Sequence, residues 1–232
     1  MKITEAVKVL PHMLAGNELV SALTIMPEYD ESIRNKDTTT RLMALSDLYR
    51  IYLPSQMSHE IYSKLYLALL RSLQKKGSKL TVQQQNQNYK AIRGQEYSGI
   101  LGGSDSFTII GTSGIGKSSA ISRALELITA DGVIEIDEPY AKIAPCVIVQ
   151  CPFDSSVKGL LLEILRKVDE CLESKYYQNA VRIRATTDML IGNVSQVALN
   201  HVGLLVVDEI QNVVNSKHGK SLIPLTFSIC LR

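Results

Sequence analysis

The sequence predicts an α/β fold with a mostly parallel β-sheet and helices on both faces of that sheet. In the second half of the chain, short apolar runs alternate with longer segments of helical periodicity. The strand-like runs have no polar face, which is typical of strands that are covered by helices on both sides. A glycine-rich turn stands directly between one such strand and the following helix. A small helical segment precedes this α/β part.

The elements of the α/β part follow one another along residues 107–209. A strand is predicted at 107–110, and after the glycine-rich turn a helix runs over 117–130. Strands are predicted at GVIEI, CVIVQ and GLLVVDE, and helices at KGLLLEILRKVDECL and TTDMLIGNVSQVALNHV. In the stretch CPFDSS, Asp154 or Ser155 is expected to cap a helix that begins near Val157. Cys151 is expected to be a small buried residue.

Residues 1–95 are predicted to form the helical N-terminal segment and a basic linker, and residues 96–232 the larger α/β core. Prolines break residues 1–56 into short, irregular helical pieces. A stronger helix is predicted at 58–74, and its core-facing residues are Ile61, Leu65, Leu69 and Leu73. The Gln- and Asn-rich piece TVQQQNQNY has little apolar surface, so it is predicted to be a loop or linker.

Composition describes a soluble globular protein, with 45% hydrophobic and 21% charged residues among 232. The four cysteines form no C-x-x-C pair, so neither a zinc site nor a disulfide framework is indicated. No apolar run approaches the roughly 20 residues that span a bilayer. These features predict a cytoplasmic protein with reduced thiols and no membrane partner.

Positive charge is concentrated between Arg71 and Arg93, where six basic residues occur without an acid. A net charge of +2 is too small to indicate a polyanionic partner by itself. A solvated linker and a phosphate-contacting segment are therefore equally good interpretations of this run. Tyrosines near it could stack on bases, although amphipathic packing explains them more simply; they are Tyr49, Tyr52, Tyr62, Tyr66 and Tyr89.

The turn GTSGIGKS fits G-x-x-x-x-G-K-[ST], the phosphate-binding loop of P-loop NTPases. Glycines let backbone N–H groups approach a phosphate, and the next helix presents its positive end to the same anion. Lys117 supplies a charge for the β- and γ-phosphates, and the Ser118 hydroxyl is placed to bind Mg²⁺. The strand before the turn and the helix after it disfavour the alternative of a chance glycine-rich turn. The predicted ATP-binding residues are Gly111, Thr112, Ser113, Gly114, Ile115, Gly116, Lys117, Ser118 and Ser119.

The run LLVVDE supplies the second half of the predicted site. Its apolar residues bury the strand and leave Asp208 and Glu209 at the carboxyl end, where ligands bind in open parallel sheets. Asp208 is predicted to hold Mg²⁺ through water, and Glu209 to act as the catalytic group that polarises the attacking water. ATP hydrolysis is the predicted reaction. The alternative is a surface turn, and the polar residues that follow receive no role.

Four segments together resemble the TnsC/TniB-type AAA+ ATPases of transposons; they are RLMALSDLYRIYLPSQMSHEIYSKLYLALLRSL, GGSDSFTIIGTSGIGKSSAISRAL, CPFDSSVKGLLLEIL and ALNHVGLLVVDEIQ. The resemblance implies an ATP-dependent regulator of transposition that forms a homo-oligomer on double-stranded DNA. Such a regulator recruits or activates a transposase together with target-selection proteins, and ATP hydrolysis disassembles it. Carried over, the Walker A role falls on the phosphate-binding loop and the Walker B role on Asp208 and Glu209.

The chain departs from that family after Glu209, where members continue with a helix, a sensor strand, a finger arginine and a helical lid. Residues 211–232 leave no room for this set, so a C-terminally shortened copy with slow or absent hydrolysis is expected. The piece LTFSICLR could form a strand between the Walker A and Walker B strands. Two alternatives are a non-catalytic remnant or interaction module, and an ATPase that loads other DNA-processing machinery.

Overall fold

A computed structural model describes residues 7–76, 79–93, 95–96, 106–129, 132–137, 140–152, 156–210 and 228–231. For residues 79–82, 91–92, 137, 140 and 228–231 it describes the backbone alone. The helices are α1 (Gly16–Leu23), α2 (Thr38–Ser46), α3 (Gln56–Lys75), α4 (Lys79–Ile92), α5 (Lys117–Ile128), α6 (Val157–Leu172), α7 (Tyr176–Arg182) and α8 (Thr187–His201). The strands are β1 (Phe107–Ile109), β2 (Ile134–Asp137), β3 (Tyr140–Gln150), β4 (Val202–Asp208) and β5 (Ser228–Leu231).

The strands form one sheet in the order β1-β5-β4-β3-β2. Strands β1, β5, β4 and β3 pair in parallel, while β2 forms an antiparallel edge with β3. The predicted mostly parallel sheet is therefore confirmed. Strand β5, which lies within the piece LTFSICLR, lies between β1 and β4, the position that the sequence interpretation allowed for it.

Two hydrophobic clusters cover the two faces of the sheet. Alternate residues of β4 divide between them: Leu204 and Val206 pack with α1, α3 and α5, whereas Leu205 and Val207 pack with α6 and α8. This alternation follows from the period of two along a strand, which points successive side chains to opposite faces. The prediction of helices on both faces is confirmed, and β4 is buried from end to end before Asp208.

Helix α3 joins the N-terminal segment to the core. The four residues predicted to face the core are all buried, at 3% exposure or less. The hydroxyl of Tyr62 accepts a hydrogen bond from the Leu14 amide at 3.0 Å, and that of Tyr66 donates to the Pro11 carbonyl at 2.8 Å. Packing is thus the correct interpretation of these two tyrosines. The division at residue 95 stays a prediction of the sequence, while α1 and α3 share one hydrophobic cluster with α5.

The prediction of a loop at TVQQQNQNY is wrong, because this piece lies within helix α4. The helix packs on α8, and described side-chain amides form hydrogen bonds across this contact. The Gln85 amide donates to the Asn200 side chain at 2.6 Å, and the Asn88 amide donates to Gln196 at 3.4 Å. The Ser195 hydroxyl donates to Asn88 at 3.1 Å. These bonds satisfy the polar groups that α4 buries, so a composition typical of a linker forms a packed helix.

Other boundaries differ from prediction by small amounts. Strand β1 ends at Ile109, α5 ends at Ile128, and β3 extends over eleven residues rather than the five of CVIVQ. Helix α6 begins at Val157 as predicted, and the Ser156 hydroxyl accepts the capping hydrogen bond from the Gly159 amide. The predicted caps, Asp154 and Ser155, lie outside the described residues.

Residues 26–51 form an excursion from the N-terminal segment, closed at its base by an antiparallel bridge between Ile25 and Tyr52. It contains α2 and two short 3₁₀ helices, Glu31–Asn35 and Asp47–Arg50. Several of its large apolar side chains are exposed, among them Leu42 and Met43 at 62% and 70%. Within the part of the chain that the structure describes, no helix combines the length and apolarity needed to cross a bilayer.

Candidate nucleotide-binding site

The glycine-rich turn connects β1 to α5 in a conformation that its glycines make possible. Gly114 and Gly116 have φ values of 81° and 89°, in the left-handed region that L-residues with a Cβ rarely adopt. Gly116 is the N-cap residue of α5, immediately before the first residue of that helix. The turn therefore leads into the N-terminus of α5, where backbone N–H groups and the helix dipole favour an anion.

The Lys117 side chain curls back over this turn. Its ammonium donates to the carbonyl of Gly111 at 2.8 Å and to that of Thr112 at 2.9 Å. Both acceptors are neutral carbonyls in the turn itself, and the Lys117 ammonium is a donor that can exchange them for phosphate oxygens.

Strand β4 delivers the acidic pair to the same place. The carbonyl of Asp208 accepts a hydrogen bond from the Cys151 amide at 2.9 Å, which fixes the end of β4 to the end of β3. The Ser118 hydroxyl lies 3.5 Å from an oxygen of the Asp208 carboxylate. The other carboxylate oxygen accepts from the amide of Glu209 at 2.8 Å. A hydroxyl of α5 and a carboxylate of β4 thus face each other across the site.

Glu209 has a φ of 57°, a left-handed conformation that is uncommon outside glycine. Such backbone strain is often found at functional sites, because the surrounding structure must hold the residue against its preference. Here the hydrogen bond from its own amide to Asp208 supports the turn. Strand β4 ends at Asp208, and this turn places the next residue, Glu209, at the border of the same site.

A cavity of about 500 Å³ lies where these elements meet. It is lined by the predicted residues Gly111, Ser113, Gly114, Gly116, Lys117, Ser118, Ser119, Asp208 and Glu209. The predicted Thr112 and Ile115 lie in the turn beside this lining, where Thr112 supplies a carbonyl to Lys117 and the Ile115 side chain is 54% exposed. The tertiary structure therefore brings both halves of the predicted site into one cavity.

The residues present suit a nucleoside triphosphate with Mg²⁺. The volume lies within the roughly 300–1,000 Å³ that is usual for small-ligand sites. The phosphates fit the glycines in the left-handed conformation, the helix N-terminus and the Lys117 ammonium. The Ser118 hydroxyl and the Asp208 carboxylate form the oxygen donor set that Mg²⁺ prefers. Bound Mg²⁺ would neutralise part of the phosphate charge. Among the residues that line the described cavity, Lys117 is the other cation that can do so.

The family profile of the AAA domain matches residues 101–226, which is more than half of the chain. The chain belongs to the AAA domain family. No curated protein matches the chain. The matched range contains the phosphate-binding turn and both acids, and the family match supports an AAA-type P-loop ATPase that binds a nucleotide.

One residue that positions the site was missed by the sequence interpretation. The Arg123 guanidinium on α5 donates to the carbonyls of Leu23 at 3.0 Å and Ala22 at 2.6 Å, at the end of α1. It also pairs with Glu126. Arg123 therefore ties the helix that follows the phosphate-binding turn to the N-terminal segment. The two carbonyls lie about a hundred residues before Arg123 in the chain and carry no sequence signal.

The cysteines near the site are packing residues. Cys151 is 1% exposed, in agreement with the prediction that it is buried. Burial also raises the pKa of the Cys146 thiol to about 12, which keeps it protonated and a poor nucleophile.

Proposed function

We propose that this AAA-type ATPase is a regulator of DNA transposition. In this proposal it binds ATP with Mg²⁺, assembles as a homo-oligomer on double-stranded DNA, and recruits or activates a transposase with its target-selection proteins. Hydrolysis of ATP then disassembles the complex. The proposal places this activity in the cytoplasm.

The approach of the Ser118 hydroxyl to the Asp208 carboxylate carries the nucleotide part of this proposal. In the proposed mechanism, Lys117 exchanges the carbonyls of Gly111 and Thr112 for phosphate oxygens. The Glu209 carboxylate orients and deprotonates the water that attacks the γ-phosphate. The transposition part is supported by the resemblance of four sequence segments to TnsC/TniB-type ATPases, which is finer than the family match.

The contacts of α5 support a link between nucleotide and partner surfaces. Helix α5 begins at the phosphate-binding turn, and its Arg123 holds the end of α1. A shift of α5 on phosphate binding would therefore be transmitted to the N-terminal segment through two hydrogen bonds and a shared hydrophobic cluster. This is the physical route by which ATP would change what the N-terminal segment binds.

The test is nucleotide-dependent assembly on a labelled DNA duplex, followed by gel shift and by light scattering. Lys117→Ala should abolish the effect of ATP·Mg²⁺, because it removes the side-chain charge that binds the phosphates. Lys158→Ala, which removes an exposed lysine on α6, is the matched control and should behave as the parent chain.

Assembly on DNA that is equal with and without ATP, or unchanged in Lys117→Ala, would contradict the proposal. Co-purification of the assembled complex with the transposase of the same element tests the partner. Retention of the transposase without nucleotide would contradict the ATP-dependent recruitment.

A further inference from the structure

Helix α4 has one principal contact in the described part of the chain. Among the described elements, α8 is the partner on which it packs. Gln84 and Asn88 face α8 and are buried at 5% and 4% exposure. Hydrogen bonds from the side-chain amides of Gln85 and Asn88 to Asn200 and Gln196 hold this inner side in a fixed orientation. The opposite side of α4 is consequently presented to solvent on a rigid support.

The outer face of α4, as far as its side chains are described, consists of exposed residues that all carry N–H or O–H donors. Its members are Gln83, Asn86, Tyr89, Lys90 and Arg93, the last lying directly after the helix end. Phosphate oxygens in nucleic acids are contacted by these residue types. No acidic residue occurs between Glu60 and Glu96, so this face lies within a stretch whose formal charges are all positive.

The described side chains of this outer face are polar or charged, and Tyr89 is the aromatic residue among them. Protein–protein interfaces concentrate binding energy in buried aromatic and aliphatic side chains at their centre. Among the described side chains of the outer face there is no aliphatic residue, whereas the exposed apolar residues of this chain include Leu42 and Met43 in the excursion. The positive charge and the hydrogen-bond donors of this face therefore favour a polyanion as its ligand.

The Tyr89 ring favours a duplex over a single strand. The Arg93 guanidinium carbon lies 4.2 Å from the centre of this ring, at stacking distance. Single strands are bound by stacking bases on free aromatic faces, and one face of Tyr89 is already covered. The stack also holds the guanidinium against the helix, so that its N–H groups are preorganised for a phosphate.

Not every cation of the basic run is available for such a contact. Lys76 is 7% exposed, and its ammonium donates to the Leu199 carbonyl at 2.7 Å, at the end of α8. This lysine has a structural role, so among the described side chains on the outer face of α4 the positive charge rests on Lys90 and Arg93.

We infer that the outer face of α4 binds the phosphate backbone of double-stranded DNA through Lys90 and Arg93, with Gln83, Asn86 and the Tyr89 hydroxyl as further donors. This inference rests on the proposed function, since it names the surface that meets the DNA. The eleven residues from Gln83 to Arg93 span about 15 Å at the rise of a helix, which matches about four base-pair steps.

The experiment measures binding of a labelled duplex of about 30 base pairs by fluorescence anisotropy, from about 50 to 200 mM salt. It compares the full chain with ATP·Mg²⁺, the double variant Lys90→Ala/Arg93→Ala, and the control Lys158→Ala/Arg182→Ala. The control removes two exposed positive charges from α6 and α7, so the net charge of both variants is the same.

Lys90→Ala/Arg93→Ala should weaken duplex binding about tenfold and lower the slope of log affinity against log salt by about 2, because each lost phosphate contact removes about 0.9 from that slope. The control pair should bind within about twofold of the parent chain. All three proteins should show the same ATP-induced rise in melting temperature, which verifies folding and an intact nucleotide site.

Equal duplex affinity in the Lys90→Ala/Arg93→Ala variant and the parent would overturn this inference and leave the proposed function standing. Absence of duplex binding by the parent itself would overturn both. A single strand of the same sequence that binds more tightly than the duplex, or poly-glutamate that competes as well as DNA, would assign the face to another ligand and also overturn the inference.

Discussion

The Ser118 hydroxyl of α5 and the Asp208 carboxylate of β4 are ninety residues apart in sequence and 3.5 Å apart in the structure. The backbone bond from Cys151 holds Asp208 at the end of its strand, and Gly116 places Ser118 in the first turn of α5. Their convergence brings the two predicted motifs into one cavity.

Ser118→Ala and Asp208→Asn should each weaken Mg²⁺-dependent nucleotide binding by about tenfold or more, because each removes one oxygen ligand or its orienting partner. The double variant should lose less than the sum of the two, since the groups act on the same ion. A fluorescent ATP analogue titrated with and without Mg²⁺ measures both quantities. Ser122→Ala, an exposed serine one turn further along α5, should bind as the parent does. Strictly additive losses would contradict a shared cation.

Glu209→Gln should retain ATP binding and lower phosphate release by about 10²–10⁴-fold, the range typical of a lost general base. The substitution keeps the size and the left-handed backbone of the residue while removing its charge. Phosphate release and nucleotide affinity are measured on the same preparation, with the exposed Glu18→Gln as control. Unchanged phosphate release in Glu209→Gln would remove Glu209 from the catalytic role.

Burial lowers the pKa of Lys76 to about 7 in the folded chain, against 10.5 for an unperturbed lysine. Between these two values the unfolded chain binds the proton that the folded chain has lost, so folding stability rises as pH increases. The slope from this residue is at most about 1.4 kcal/mol per pH unit. Below pH 7 the buried charge costs stability in full.

Urea unfolding between about pH 7.5 and 9.5 measures this dependence. In Lys76→Met the rise of stability with pH should become smaller than in the parent, because the buried titrating group is gone. Lys75→Met removes the neighbouring exposed lysine and should leave the pH dependence unchanged. A parent and a Lys76→Met variant with parallel pH profiles would show that Lys76 titrates normally.

Asn88→Ala should lower the free energy of unfolding by about 1–3 kcal/mol, because it removes the hydrogen bonds between the buried Asn88 and its partners. Those partners are the side chains of Gln84, Ser195 and Gln196. Asn86→Ala changes the same residue type on the exposed side of α4 and should cost no more than about 0.5 kcal/mol. Equal costs for the two variants would indicate that the amide contacts to α8 contribute nothing to stability.

Much of the fold was predictable, because its signals are local. The glycine spacing of the phosphate-binding turn, the uniform apolarity of β4 and the periodicity of α3 each depend on backbone preference or burial that neighbouring residues encode. The helix at 79–92 was not predictable in this way. Several of its side-chain amides are satisfied by side chains of α8 more than a hundred residues later.

By itself, the sequence determined the strand, turn and helix around the phosphate-binding loop, the acids at the end of β4, and the parallel character of the sheet. Only the tertiary structure decided which distant groups meet. It placed Ser118 beside Asp208, buried Lys76 under the last turn of α8, and turned the donors of α4 outward. The physical reason is that backbone conformation is set by nearest neighbours, whereas the satisfaction of buried polar groups depends on partners that folding alone brings together.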